Sequence, residues 1–400
     1  MMKYCVLIMD GAAGLPLPEY GGKTSLEMAE TPNLDAMAPE GTLGLVRTVP
    51  EGMEPSSACA CMSLLGYDPV QYYQGRAAIE AKSMGIPIGE GEVVFRCNLV
   101  AVRDGRMWDY SAGHIGSEDA RKIIDTLNGK LGSDEVSFYP GVSYRHICKL
   151  KGHEETLRAT CTPPHDIPDR MIEDYLPKGP GSELLKRLMQ ASQEVLREHP
   201  VNVARRAAGE VPATMVWFFW GSSQPREMPA FQQIYGLKAA MTSGVDLLKG
   251  MAEMAAINVL DIPGVTDGLD SDYSGQAAGA LRALDDHDLV LVHIEAPDEA
   301  AHSGSRADKV NAIQRIDREV VGRLRAWKQD DLRLLVLPDH PTPIVTRTHS
   351  GEPVPFLLWG GGFSGNGAKR FTEAEAGKTG LLIDPGYNIM KLLVGRDSVG

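Results

Sequence analysis

No run of this chain approaches the ~20 uninterrupted apolar residues that a membrane-spanning helix requires, so no span is expected. The apolar start, MMKYCVLIMD, is cut short by Asp10 before it could form the core of a secretory leader, and it is read as part of the folded protein. Only six cysteines occur, at positions 5, 59, 61, 97, 148 and 161, without the spacing of a disulfide framework. Reduced thiols in a cytoplasmic protein are therefore expected. Cys59 and Cys61 stand too close for the usual metal knuckle and read as small buried residues. Basic residues are outnumbered, 40 against 53, and the net charge of −13 argues against broad binding to nucleic acid or anionic membranes. A nucleotide phosphate loop is also missing. Gly360-Gly361-Gly362 leads into no convincing helix, and Gly377-Lys378-Thr379 has Thr372 where the earlier glycine belongs. Asp270 and Asp272 would open a calcium loop, but its last acidic position is Leu281.

What is present is a globular composition, 43% hydrophobic and 23% charged, in a chain long enough for two or three domains. Three dense apolar runs stand out, Lys3–Met9, Leu289–Ile294 and Leu332–Leu337. Runs this rich in Val, Leu and Ile suit strands buried on both faces of a parallel sheet. Each gives way at once to polar groups: Asp10 after the first, Glu295, Asp298 and His302 after the second, Asp339 and His340 after the third, with His349 later in that last loop. Asp298 and His302 are four apart and share one face of even a single helical turn. Open α/β sheets place ligands just beyond the carboxyl ends of their strands. Taken singly, Asp10 or Asp298 also reads as a helix cap and His349 as a loop histidine. Taken together, three aspartates and three histidines offer hard oxygen and borderline nitrogen donors, which suit a pair of divalent ions, Mn²⁺, Zn²⁺ or Mg²⁺.

Residues 50–69, PEGMEPSSACACMSLLGYDP, read as a turn entering a helix at Ser56-Ser57. A serine there is commonly a cap, and the N–H groups of such a helix end attract anions. A neighbouring metal pair gives Ser57 a second role, because coordination makes an alkoxide accessible at neutral pH. The chemistry expected is phosphoryl transfer through a phosphoserine.

From about residue 76 to 234 the texture becomes α+β, with extended segments at Val93–Val102, Glu135–Tyr139, His146–Leu150 and Met215–Trp220. Helices are expected over Glu118–Leu131 and Ser182–His199. This region carries Arg76, Arg96, Arg145 and Arg205, whose planar guanidinium groups suit carboxylate or phosphate. From Tyr235 the α/β texture returns, with strands at Ala239–Thr242, Val259–Ile262 and Pro355–Trp359, a helix Val245–Ala255 carrying Lys249, and an amphipathic helix from Val310 to Trp327.

Motifs along nearly the whole chain carry a family resemblance. They are VLIMDG, the serine segment ending in SLLGYDP, YYQGR, SMGI, FRCNLV, YPGVSYRH, HPVN followed by Arg205, YGLKAA, VDLLKG, HIEAPDEAAH, and LPDH with the later His349. On these the chain resembles the archaeal-type, cofactor-independent (2,3-bisphosphoglycerate-independent) phosphoglycerate mutases of the alkaline phosphatase superfamily. The resemblance implies an α/β fold, an alkaline-phosphatase-like mostly parallel sheet flanked by helices (residues 1–75 and 235–400), with an inserted α+β cap domain (76–234) that binds substrate and excludes water. It implies that Asp298, His302 and His349 hold one ion and Asp10, Ser57, Asp339 and His340 the other. Ser57 would take the phosphoryl group of 3-phosphoglycerate and return it to the other hydroxyl, without 2,3-bisphosphoglycerate. The substrate-binding candidates are Arg76, Arg96, His114, Arg145, Arg205 and Lys249.

The expected partner is a small phosphorylated hydroxy-acid, with no nucleic acid and no membrane. Two departures bear on substrate: Ala58 stands where the family usually has an acidic residue, and Cys61 where it has Asn. The segment Asp109–His114 resembles a bacterial branch, some of whose members have been proposed to be homoserine kinases. The alternative activity is therefore a metal-dependent phosphatase, or a phosphotransferase on another small hydroxy-compound. A non-catalytic, metal-stabilised binding protein fits less well with the retention of Ser57 beside six ligands.

Overall fold

Lys3–Met9, Leu289–Ile294 and Leu332–Leu337 lie side by side in an eight-stranded sheet in the computed structural model of the chain, which describes residues 2–73, 75–224, 226–327 and 331–395. The strand order is Leu382–Ile383, Thr42–Val46, Val354–Gly360, Leu332–Leu337, Lys3–Met9, Leu289–Ile294, Ala239–Thr242 and Asn258–Val259. Val354–Gly360 runs antiparallel to both neighbours, and the other pairings are parallel. Every residue of Leu289–Ile294 is buried, which is why the run is continuously apolar rather than alternating. Helices Tyr273–Ala283 and Arg306–Ile316 contribute Ala277, Ala280, Ala312, Ile313 and Ile316 to the core on one face. The class is the expected one: α/β, mostly parallel, flanked by helices.

Register positions the polar edge. Met9 pairs with Ile294, and Ile8 with Leu337. Carried just past those pairs, the same register sets Asp10 between Glu295 and Asp339, on strands about 4.8 Å apart. Three carboxylates thus stand abreast because three apolar runs end in step.

The chain divides into two compact units, residues 1–73 with 227–400, and residues 74–226. Residues 227–235 belong with the first unit for a local reason. Tyr67 Oη donates to the Pro229 carbonyl (2.8 Å), and Tyr235 Oη donates to that of Gly66 (2.9 Å). Gly66 has φ +83 and is covered by the Tyr235 ring, so no side chain fits there. Gln74, inside the YYQGR motif, lies outside the described residues.

Two expected elements differ in detail. The amphipathic helix ending near Trp327 is interrupted by a π-helical turn, Asp317–Val321, between Arg306–Ile316 and Gly322–Ala326. The wide turn begins at Asp317, whose buried carboxylate accepts from the N–H groups of Leu34 (2.8 Å) and Asn33 (3.1 Å), and so caps the helix Pro32–Met37 from a distance. The expected strand Val259–Ile262 shrinks to Asn258–Val259 at the sheet edge, where the chain turns away toward Pro263-Gly264.

The second unit is an antiparallel sheet. Glu92–Arg103 pairs with Arg106–Asp109, Arg145–Lys151 and Met215–Ser223, and Val136–Tyr139 joins Arg145–Lys151. Helices Ser117–Leu131 and Ser182–Arg197 bury Ile123, Ile124, Leu127, Leu185, Leu188, Met189 and Leu196 in its core. Among the described residues no helix is long and apolar enough to cross a membrane.

Candidate metal centre and nucleophile

The sheet edge gathers two groups of donors expected from the sequence. In the first, the helix Ala296–His302 carries Asp298 and His302 on one face, with Asp298 Oδ2 3.0 Å from His302 Nε2. His349 Nε2 lies 3.0 Å from His302 Nε2 and 3.6 Å from Asp298 Oδ1. The opposite ring nitrogens face backbone oxygens, His302 Nδ1 that of Arg347 (2.9 Å) and His349 Nδ1 that of Pro55 (3.3 Å). A carbonyl only accepts, so both rings donate from Nδ1 and turn Nε2 inward toward Asp298, where an arriving ion would displace the proton that His302 shares with that carboxylate.

The second group is Asp10, Asp339 and His340, all fully buried. His340 Nε2 lies 3.3 Å from Asp339 Oδ2 and 3.6 Å from Asp10 Oδ1. Asp339 Oδ1 is oriented by the N–H groups of Gly11 (3.0 Å) and His340 (2.7 Å). Ser57 meets this group. Ser56 caps the helix Ser57–Leu64 by accepting from the Cys59 N–H (3.3 Å), which leaves Ser57 Oγ to face His340 Nε2 at 3.2 Å. The two serines thus divide the roles of cap and candidate nucleophile.

Electrostatics agree with a cationic occupant. Burial first, then the charges of Asp339 and Asp298, push the Asp10 carboxyl well above the usual range. Burial and Asp10 do the same to Glu295. Burial would also raise Asp298, but its imidazole hydrogen bonds hold it well below, and His302, against the pull of burial, is raised to about 9. His340 is pushed down to about 4 by burial. Among the described residues, Asp10 Oδ1 and Glu295 Oε2 are buried without a hydrogen-bond partner, an arrangement that fits an oxygen-seeking divalent ion.

A family described as 2,3-bisphosphoglycerate-independent phosphoglycerate mutase matches residues 38–202. A relative of that name from Methanothrix thermoacetophila is 47% identical, over 98% of this chain and 100% of its own. The chain belongs to the cofactor-independent phosphoglycerate mutase family. A probable mutase of the same name from Geobacter sulfurreducens is 43% identical over 99% of this chain and 100% of its own. Among solved structures, a protein from Pyrococcus horikoshii matches with TM-score 0.82 at 28% identity, covering 99% of this chain and 98% of the other. A cofactor-independent phosphoglycerate mutase from Thermoplasma acidophilum matches with TM-score 0.64 at 26% identity over the full length of both.

Within this mutase chain the substrate-binding candidates are scattered by environment. Arg76 and Arg96 converge on the Glu80 carboxylate. Arg76 Nε donates to it at 2.8 Å, and Arg96 Nη1 reaches both of its oxygens. Arg76 also stacks on Trp220, 4.6 Å from the ring centre. Arg145 and His114 both lie against Tyr144, and His114 is exposed at φ +49. Arg205 is fully engaged, donating to the carbonyls of Val211 (2.9 Å) and Ala112 (3.1 Å) and pairing with Glu210. Its contacts make it a brace for the Asp109–His114 loop. Lys249, in the first unit, pairs with Asp246 at 3.3 Å.

Four side chains at the edge were not singled out as ligands or supports from sequence. His293 Nε2 sits 2.8 Å from Asp10 Oδ2, and its Nδ1 lies 3.0 Å from Ser243 Oγ. Ser243 Oγ accepts from the Val245 N–H and faces His293 Nδ1, while His293 Nε2–H donates to the Asp10 carboxylate. With Asp10 and Glu295, His293 forms a third group of close donors. A polar residue fifth in the apolar run LVLVHI was the available signal. Thr342 and Lys309 carried none. Cys61, at the usual Asn position, directs its Sγ toward Asp339 Oδ2 (3.6 Å).

Proposed function

We propose that the chain interconverts 3-phosphoglycerate and 2-phosphoglycerate through a phosphoserine on Ser57, as a cytoplasmic enzyme with two divalent ions and no 2,3-bisphosphoglycerate. One ion would be held by Asp298, His302 and His349, the other by Asp10, Ser57, Asp339 and His340. The observation that carries this reading is the position of Ser57 Oγ, 3.2 Å from His340 Nε2 and at the start of a helix, beside two groups of metal-competent donors. Bound there, the ions supply an accessible serine alkoxide and neutralise phosphate oxygens. Ser57 Oγ forms a bond to phosphorus as the bond to the 3-oxygen of glycerate breaks. The 2-hydroxyl oxygen then takes the phosphoryl group, and Ser57 is restored. The first N–H groups of the helix Ser57–Leu64 favour the negative charge gathered there.

The second unit is proposed as the substrate-binding cap, with Arg76 and Arg145 as the groups for the glycerate carboxylate. Arg96 acts behind them by holding Glu80. Phosphorus NMR of the purified protein with Mn²⁺ and 3-phosphoglycerate tests the whole: 2-phosphoglycerate should accumulate with little free phosphate. Free phosphate alone would replace the mutase with a phosphatase, and no turnover would point to a different small hydroxy-compound.

A further inference from the structure

Thr342 is fully buried in the loop after Leu332–Leu337, and its hydroxyl reaches both groups of donors. It donates to Asp298 Oδ1 at 2.5 Å and lies 3.2 Å from His340 Nδ1. A hydroxyl has one proton and two lone pairs. With the proton directed to a carboxylate, Oγ1 is left to accept, so His340 carries its proton on Nδ1. The Nε2 lone pair of His340 is thereby aimed at Ser57, Asp339 and Asp10.

Thr342 is itself held from behind. Its N–H donates to the Ala13 carbonyl (3.1 Å), and its carbonyl accepts from Lys309 Nζ (2.8 Å). The same ammonium donates to the Ala13 carbonyl at 2.9 Å. Lys309 is fully buried on the helix Arg306–Ile316 and joins the loop that follows Asp10 to the loop that follows His340. Gly11 leaves the space required, since a Cβ there would come within 2.7 Å of Thr342 Oγ1.

We propose that Thr342 is a positioning residue that couples the two metal groups, orienting Asp298 for one and fixing the His340 tautomer for the other, with Lys309 as its clamp. This rests on the two-ion reading above. Outer contacts of this kind set the orientation and basicity of the ligands they touch, and their loss weakens metal binding about 10- to 100-fold.

Calorimetric Mn²⁺ titration of the full chain, with bound Mn²⁺ counted by electron paramagnetic resonance, tests the proposal. Thr342→Val keeps the shape and removes the hydroxyl; it should stay folded by circular dichroism and bind both ions about 10- to 100-fold more weakly. Thr342→Ser keeps the hydroxyl and should bind like the wild type. A Thr342→Val titration matching the wild type overturns the proposal, as does a Thr342→Ser loss equal to that of Thr342→Val. A wild-type chain that takes up fewer than two ions overturns the two-ion reading itself, so the two failures are distinguishable.

Discussion

Ser57 Oγ and His340 Nε2 lie 3.2 Å apart although 283 residues separate them in sequence. The contact exists because a capped helix start and the carboxyl end of a central strand meet at one edge. Ser57→Ala removes only the hydroxyl, while Asp10, Asp339 and His340 keep their own supports. Turnover should fall to background, with Mn²⁺ still bound. In the wild type, acid quenching during turnover should leave a phosphate-sized mass increase on the peptide containing Ser57. An active Ser57→Ala enzyme would remove this residue from the mechanism.

Gly11 tests how tightly the edge is built. It has φ +60, and a Cβ would stand 2.7 Å from Thr342 Oγ1 and 2.8 Å from Asp298 Cα. Gly11→Ala therefore meets backbone strain and a clash with the main chain of Asp298, a proposed metal ligand. The cost should be at least about 1–3 kcal/mol in urea unfolding, accompanied by weaker metal binding. Wild-type stability in this variant would mean that the loop has room to shift.

Much of this edge was legible in the sequence, because buried parallel strands leave a strong signature: uninterrupted aliphatic runs that end in charge. That was enough to group Asp10, Asp298, His302, Asp339, His340 and His349. His293 was hidden because a lone imidazole in an apolar run has no periodicity to mark it, and its value depends on Ser243 and Asp10, both far away in sequence. Thr342 and Lys309 act through single hydrogen bonds across loops, which leave no local pattern. The arginines were legible as cations but not by role. Only tertiary contacts separate Arg205, tied to carbonyls, from Arg96, tied to Glu80. The π turn at Asp317 preserves the apolar stripe on either side, so the pattern read as one helix.

Glu80 gives the second unit a pH dependence. Burial alone would raise its carboxyl, but the Arg96 and Arg76 guanidinium groups outweigh burial and hold it below the ordinary glutamate value. A depressed folded-state value means that the contribution is complete above the unfolded value of about 4.3 and is lost as pH falls through the folded one. Urea unfolding should thus show stability falling in acid below about pH 4. Glu80→Gln should be less stable at neutral pH by about 3–5 kcal/mol, because buried Arg96 loses its counter-charge. Its acid dependence should also be shallower; an unchanged slope would assign the acid loss to other groups.

Metal removal should reveal the opposite sign at Asp10. Without an ion, its carboxyl is raised by burial and by Asp339 and Asp298, so the folded chain holds a proton that the unfolded chain releases at about 3.9. That contribution is fully present below the unfolded value and is lost as pH climbs through the raised one. A bound cation takes over the role of the proton, and binding must then release protons. The Mn²⁺-loaded protein should unfold at a higher temperature than the chelator-treated one, by the equivalent of about 2.7 kcal/mol at an ion concentration near 100 times Kd. This gap should widen as pH rises above the ordinary carboxylate range. Calorimetry in buffers of different ionisation enthalpy should register the proton release. A gap independent of pH would show that Asp10 is already ionised before the ion arrives, and that the charge at the edge is balanced in some other way.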